Sequence, residues 1–372
     1  MSGGKVECDL QQRLSVAAIA FYGDGGVGRR DAEKVLQHMG RRDHRIDNIR
    51  WLLILLVVFG HLIESVNGDP ALYIYTVIYV FHMPAFVFIT GYFAKFKLRR
   101  IASLALTYVV FQTLYLLFDW LLTGDFAAPV ELQYLVPDWI MWYLLATLVW
   151  VVAIPLFKTE NRVRMAITLA VSVAIALAAG FFNEVGYFLS LSRILVFAPF
   201  FIAGFYARAL WGGGRSDQPD VQDDGSGQKQ VASGHRSIAR RAMLIVGLAG
   251  AAITFAVVAV GDINSVALYN SLAYGRTGTT AEFRLGMMVL AACWICLLFA
   301  VVPDKCIPAV SNAGSHSLPI YLIHGFVIRA MRVYVVMPFG EIGNILVSVV
   351  LAFAIVFAFG HRILDKIVRL GL

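Results

Sequence analysis

Trp51 to Val66 reads WLLILLVVFGHLIESV, an apolar run whose only ionisable residues are His61 and Glu64. Arg50 stands immediately before the run, and Asp47 lies three positions earlier. At about 100° per residue, the steps from Arg50 to His61 close to within about 20° of three full turns. Both side chains therefore share one helix face, about 16 Å apart along the axis. Asp47 and Glu64 join that face, each three positions further out. Ionisable groups inside a membrane span are costly and mark function. An imidazole beside a carboxylate is the arrangement of an oriented general base.

A second apolar run, ALYIYTVIYVFHMPAFVFITGYFA, carries His82 near its middle. Tyr75 and Tyr79 fall on the same side as His82 at helical spacing. Helical rise puts His82 and His61 at similar depth, each about 15–18 Å from the inner edge. Pro84 can kink this span and free carbonyls near His82. His61, Glu64 and His82 thus suit two classes of function. One is acid–base catalysis on a hydroxyl. The other is the proton relay of a proton-coupled transporter.

Lys95, Lys97, Arg99 and Arg100 follow the second run directly. Such a cluster serves as a positive-inside anchor or as a phosphate-binding patch. Arg193 precedes the apolar ILVFAPFFIAGF, and His324, Arg329 and Arg332 fall within a later apolar segment. PDWIMWYLL brings Asp138, Trp139, Trp142 and Tyr143 to the outer interface, as an aromatic belt or as a platform for a sugar ring. Cys293 and Cys296 form a CxxC within LGMMVLAACWICLLFAVV, but no second pair accompanies them, so no metal site is expected.

The elements that must position these residues are membrane helices. The chain is 59% hydrophobic and only 15% charged, against about 25% in soluble domains. This predicts an all-α polytopic membrane protein. About 20 apolar residues span a bilayer, and ten such segments are expected near 50–66, 71–94, 101–122, 139–157, 164–182, 187–208, 242–260, 283–303, 318–336 and 342–363. Lys and Arg concentrate in alternate loops, whereas the intervening ones hold only Arg276. That alternation predicts a multi-pass protein of the cell (plasma or inner) membrane with both termini cytoplasmic. The net charge of +7 then reflects cytoplasmic loops, and no nucleic-acid partner is implied. Residues 1–44 read as a cytoplasmic extension without a core, 45–365 as the membrane domain, and 366–372 as a cytoplasmic tail. Within the domain, the polar stretch over 213–240 reads as a flexible cytoplasmic linker.

RIDNIRWLLILLVVFGHLIE followed by YVFHMPAFVFITGYFAK resembles the membrane acyltransferase-3 family, most nearly its fucose-4-O-acetylase-like branch. Arg50 and His61 match the family's arginine, ten residues, histidine pattern. WYLLATLVWVVAIPLF, RILVFAPFFIAGF and SHSLPIYLIHGF resemble later blocks, so the likeness extends over roughly 45–365. It implies a ten-span enzyme that moves an acyl group from cytoplasmic acyl-CoA, acetyl-CoA above all, to a hydroxyl of a sugar or other envelope acceptor. By the same resemblance His61 is the catalytic histidine and Arg50 supports the donor site. The basic motif after the second span corresponds to KLRR, Lys97 to Arg100, with a lysine point charge in its first position. Direct transfer and an acyl-histidine intermediate both fit.

The charge alternation is checked by cysteine labelling in a cysteine-free background. Cysteines placed within 213–234 should react only with membrane-permeant reagents. Those placed between 261 and 282 should react with impermeant ones. Labelling of the linker from outside would overturn the topology.

Overall fold

A computed structural model describes residues 44–124, 134–212, 228–261, 263–335 and 338–368, without the side chains of 211–236. The extension expected over 1–44 and the last residues of the tail thus lie almost entirely outside the described residues. Every element among the described residues is helical. The long helices are α1 (His44–Ile63), α2 (Asp69–Tyr92), α3 (Leu98–Thr123), α4 (Trp142–Phe157) and α5 (Arg162–Ala178). They continue with α6 (Leu191–Gly212), α7 (Gln228–Val260), α8 (Ala281–Val301), α9 (Ser317–Tyr334) and α10 (Gly340–Phe359).

These helices match the ten expected spans, with shifts at their ends. α1 begins at His44, so the polar HRIDNIR forms its first turns and buries Asp47 and Asn48. The amide of Asn48 donates to the carbonyls of Pro303 at 3.1 Å and Lys305 at 2.9 Å, which explains how a polar first turn can be buried. The linker expected over 213–240 is helical from Gln228 onward, and 213–227 lies outside the described residues. Extending an existing helix fixes one residue per hydrogen bond, so α7 continues past its apolar stretch. α2 runs unbroken through Pro84.

Among the described residues, nine helices are long and apolar enough to cross a membrane; α9 is not one of them. Its two ends nonetheless lie at opposite ends of the bundle. At one end, the Ala71 amide donates to Glu341 at 3.0 Å and the Tyr269 hydroxyl to Glu64 at 3.1 Å. At the opposite end, the Arg45 amide meets Asp304 and the Tyr206 hydroxyl donates to the Phe157 carbonyl at 2.6 Å. α9 starts beside Asn312, whose amide reaches the Gly360 carbonyl, and delivers Arg332 to Glu64 at the other end. Its buried face includes Ile320, Leu322, His324 and Ile328. Charges lower the hydropathy of α9 because they face protein partners rather than lipid.

α1 and α2 are the central helices, each 72% buried over its most apolar stretch, against 22% for α7 and 28% for α3, α5 and α10. α2 is held against α6 by a close crossing at Gly91 and Gly204. A Cβ on Gly91 would come within 1.9 Å of the Phe201 carbonyl oxygen, and one on Gly204 within 1.9 Å of that of Phe88. Only glycine lets the two backbones approach this closely, as is common where membrane helices pack.

Gly91→Val and Gly204→Val should therefore each destabilise the protein by about 1–3 kcal/mol or more, since backbone blocks the added atoms. Gly286, which has no atom within 4 Å of a built Cβ, should accept alanine with no loss and a gain of about 0.5–1 kcal/mol from helix propensity. Thermal unfolding in detergent, compared across the three variants, checks both signs.

Candidate functional site

A cavity of about 750 Å³ reaches from Thr123, Pro137 and Tyr269 at the Glu64 end of the bundle down to Val57, Met83 and Phe197. His61, Glu64, Tyr79, His82, Trp142 and Arg193 all line it. The helical period that placed His61 on the Arg50 face also places it on the cavity wall, because α1 presents that face inward.

His61 is held on every side. Its Nδ1 lies 3.2 Å from the Tyr79 hydroxyl and 3.6 Å from Glu64 Oε2. The Trp139 ring meets it edge-on at 4.6 Å, and the His324 ring stacks at 5.6 Å. Carboxylate and phenol on Nδ1 fix the ring's orientation and leave Nε2 as the nitrogen that neither engages.

Glu64 lies one residue past the end of α1 and serves three partners. Oε2 accepts from Arg332 at 2.6 Å, Oε1 accepts from the Tyr269 hydroxyl at 3.1 Å, and His61 lies on the third side. Burial pushes its carboxyl up, but the His61 imidazole and the Arg332 guanidinium outweigh burial and hold it down to about 2. Arg332 also donates to the His61 carbonyl at 3.0 Å, so it caps the end of α1. Tyr75 continues the network with its hydroxyl 2.5 Å from that of Tyr269.

The other two histidines are set by their own helices. His82 Nδ1 donates to the Ile78 carbonyl at 2.8 Å, and His324 Nδ1 to that of Ile320 at 3.0 Å. In each neutral imidazole, Nε2 is then an acceptor only. Pro84 does not disturb this local bond.

PDWIMWYLL does not form an interfacial belt. Trp139 packs on His61 and Trp142 lines the cavity, while Tyr143 is buried with its hydroxyl against Thr90. These rings turn inward because Arg329 pairs with Asp119 and, at 2.8 Å, with Asp138, which anchors the segment to α3 and α9. Arg329 and Arg332 also lie 5.4 and 4.9 Å from the Trp139 ring.

The remaining expected residues stand apart from the cavity. Arg50, at the other end of α1, donates to the Ser317 hydroxyl at 3.1 Å and lies 5.9 Å from the Phe93 ring. Arg100 donates to the Phe93 carbonyl at 3.0 Å, so the two arginines converge on one residue, and both act electrostatically on Tyr143. Lys97 and Arg99 are exposed. Asp47 is buried near the start of α1 and does not line the cavity.

The sequence singled out Arg332 and Arg329 without a role, read Trp139 only as part of an aromatic belt or sugar platform, and did not single out Tyr269. One signal was present. Two arginines in a span without an acid of its own require acids from elsewhere, and Glu64, Asp119 and Asp138 are those acids. Among the described residues no group of His, Cys, Asp and Glu is arranged to hold a metal ion.

With this geometry in view, comparison with known proteins gives one result. The profile of a family described as an acyltransferase domain, Acyl-transf-3, matches residues 43–361. No curated protein and no solved structure is similar to the chain.

The Glu64 network generates a pH prediction. A carboxyl that titrates near 2 in the folded state, against 4.5 ordinarily, stabilises the fold fully above about pH 4.5. That contribution is lost as the pH falls through 2. Glu64→Gln should thus lower the thermal midpoint at pH 7, and the gap from wild type should narrow at pH 3. An equal gap at both values would show that the ionised carboxylate is not what the network needs.

Proposed function

The chain belongs to the acyltransferase-3 family, and we propose that it is an integral membrane O-acyltransferase. In this reading it takes an acyl group, acetyl above all, from cytoplasmic acyl-CoA and delivers it to a hydroxyl of a sugar or other envelope acceptor. The observation that carries the reading is His61 itself. Its imidazole lines a cavity large enough for an acceptor, with Glu64 and Tyr79 on Nδ1. FHMPAFVFITGY, which contributes His82 and Met83 to that wall, favours the fucose-4-O-acetylase-like branch.

The acceptor enters from the Glu64 end, which faces outward. Its hydroxyl gives a proton to His61 Nε2 as the oxygen bonds to the thioester carbonyl carbon. The tetrahedral oxyanion collapses, the carbon–sulfur bond breaks, and the departing thiolate takes that proton to become free thiol. The variant route forms acyl-His61 first, with release of the thiolate, and the acceptor proton then goes to the thiolate. Glu64 orients the ring in both routes. The neutral His82 offers Nε2 only as an acceptor, which suits it to hold the acceptor hydroxyl. The Tyr79 hydroxyl is the better donor to the oxyanion.

The donor approaches from the opposite end. Arg50 and Arg100 converge there beside Phe93, and with Lys97 and Arg99 they form a basic mouth suited to the phosphates of acyl-CoA. No metal takes part in this scheme.

Purified protein in lipid, assayed for product and for thiol release, tests the proposal. His61→Ala and His61→Gln should lower turnover by about 10²–10⁴-fold, the usual contribution of a general base, with insertion unchanged. Glu64→Gln should retain more activity than either, and His82→Ala should fall between. Near-wild-type turnover in His61→Ala would refute the assignment. Proton movement coupled to a solute, without thiol release from any acyl-CoA, would favour a transporter instead.

A further inference from the structure

The acids lining the cavity each meet a cation. Glu64 pairs with Arg332, and Asp119 and Asp138 share Arg329. Arg193 is the cation left over. It lies near the start of α6, lines the same cavity, and forms no ion pair among the described residues. Its Nε donates to the Tyr269 carbonyl at 3.2 Å. Its guanidinium lies 5.2 Å from the Trp142 ring and 5.6 Å from that of Tyr187. The phenols of Tyr187, Tyr79, Tyr321 and Tyr269 and the imidazole of His61 bear on its charge. Its two terminal nitrogens have no acceptor among the described residues and remain open to the cavity.

A guanidinium held in a cavity without a counter-charge is costly, and a ligand that supplies the charge offsets that cost. The aromatic faces on either side restrict the guanidinium, and its bond to the Tyr269 carbonyl uses one edge. The remaining fork matches the two oxygens of a carboxylate or phosphate. We propose that Arg193 is an anion subsite within the acceptor cavity. The acceptor then carries a carboxylate or phosphate in addition to the hydroxyl that is acylated. This rests on the O-acyltransferase reading and narrows its acceptor class. The anion docks on Arg193 while the neutral hydroxyl lies toward His61, so charge recognition and proton transfer use different residues.

The test is binding to the full-length protein in lipid nanodiscs, followed by thermal midpoint at constant ionic strength. The probes are glucuronate, glucose 1-phosphate and glucose. At least one anionic probe should half-saturate at a concentration about tenfold or more below that of glucose, as a charge-assisted bond predicts. Comparison of the two anions separates carboxylate from phosphate. In Arg193→Gln the advantage over glucose should vanish, and in Arg193→Lys, which keeps the charge but not the fork, part of it should remain. His61→Ala should keep the full anion response, so failure of the general-base assignment would leave this result standing. A protein that transfers acyl groups but shows no anion preference would sink the subsite alone. If Arg193→Gln does not fold, the wild-type comparison still decides. Absence of any anion preference in wild type, or its survival in Arg193→Gln, overturns the proposal.

Discussion

The Glu64 carboxylate is the interaction on which the rest of the site depends. It accepts from Arg332 of α9 and from Tyr269 of the segment before α8, and it lies beside the imidazole of His61. A single anion thus joins the end of α1 to two elements distant in the chain. Glu64 and Arg332 are both exposed at this end of the bundle, so the pair contributes modestly by itself and serves chiefly to join the three elements. The same pairing explains why α9 lacks the hydropathy of the other long helices. Its arginines are spent on Glu64, Asp119 and Asp138, inside the protein.

α1 connects two chemically different ends. At one, Arg50 and Arg100 meet around Phe93 and Ser317. At the other, the aromatic and acidic cavity surrounds His61. A single helix keeps these ends at a fixed separation and rotation. Trp139 and His324 then hold the ring in place by contact. Such support from packed helices narrows the orientations open to the ring.

Much of the fold was legible in the sequence. Ten apolar segments became ten long helices, and the weakest of them, α9, was weak for the reason visible in its letters, the charges at His324, Arg329 and Arg332. Within the site, His61, Glu64 and His82 were legible because two lie on one helix and the third lies in a span of matching depth. The reading of Trp139, Trp142 and Tyr143 as an interfacial belt did not hold, since the ion pairs of Arg329 draw that segment inward. Asp47, placed by the helical period on the face of Arg50, His61 and Glu64, does not line the cavity. Its place on the right face of α1 is at the wrong level, beside the buried turn around Asn48.

What the sequence determined by itself is what one helix determines. The shared face of Arg50 and His61 and the adjacency of Glu64 both follow from a rise and a rotation per residue. The tertiary structure alone decided that His324 stacks on His61, that Arg332 answers Glu64, and that Arg193 lies between Trp142 and Tyr187. The physical reason is that lipid tails are as apolar as a protein core. Hydropathy therefore reports that a helix leaves water, but not which of its faces meets lipid and which meets another helix. That choice is made by small residues, such as Gly91 and Gly204, and by buried charges whose partners lie hundreds of residues away.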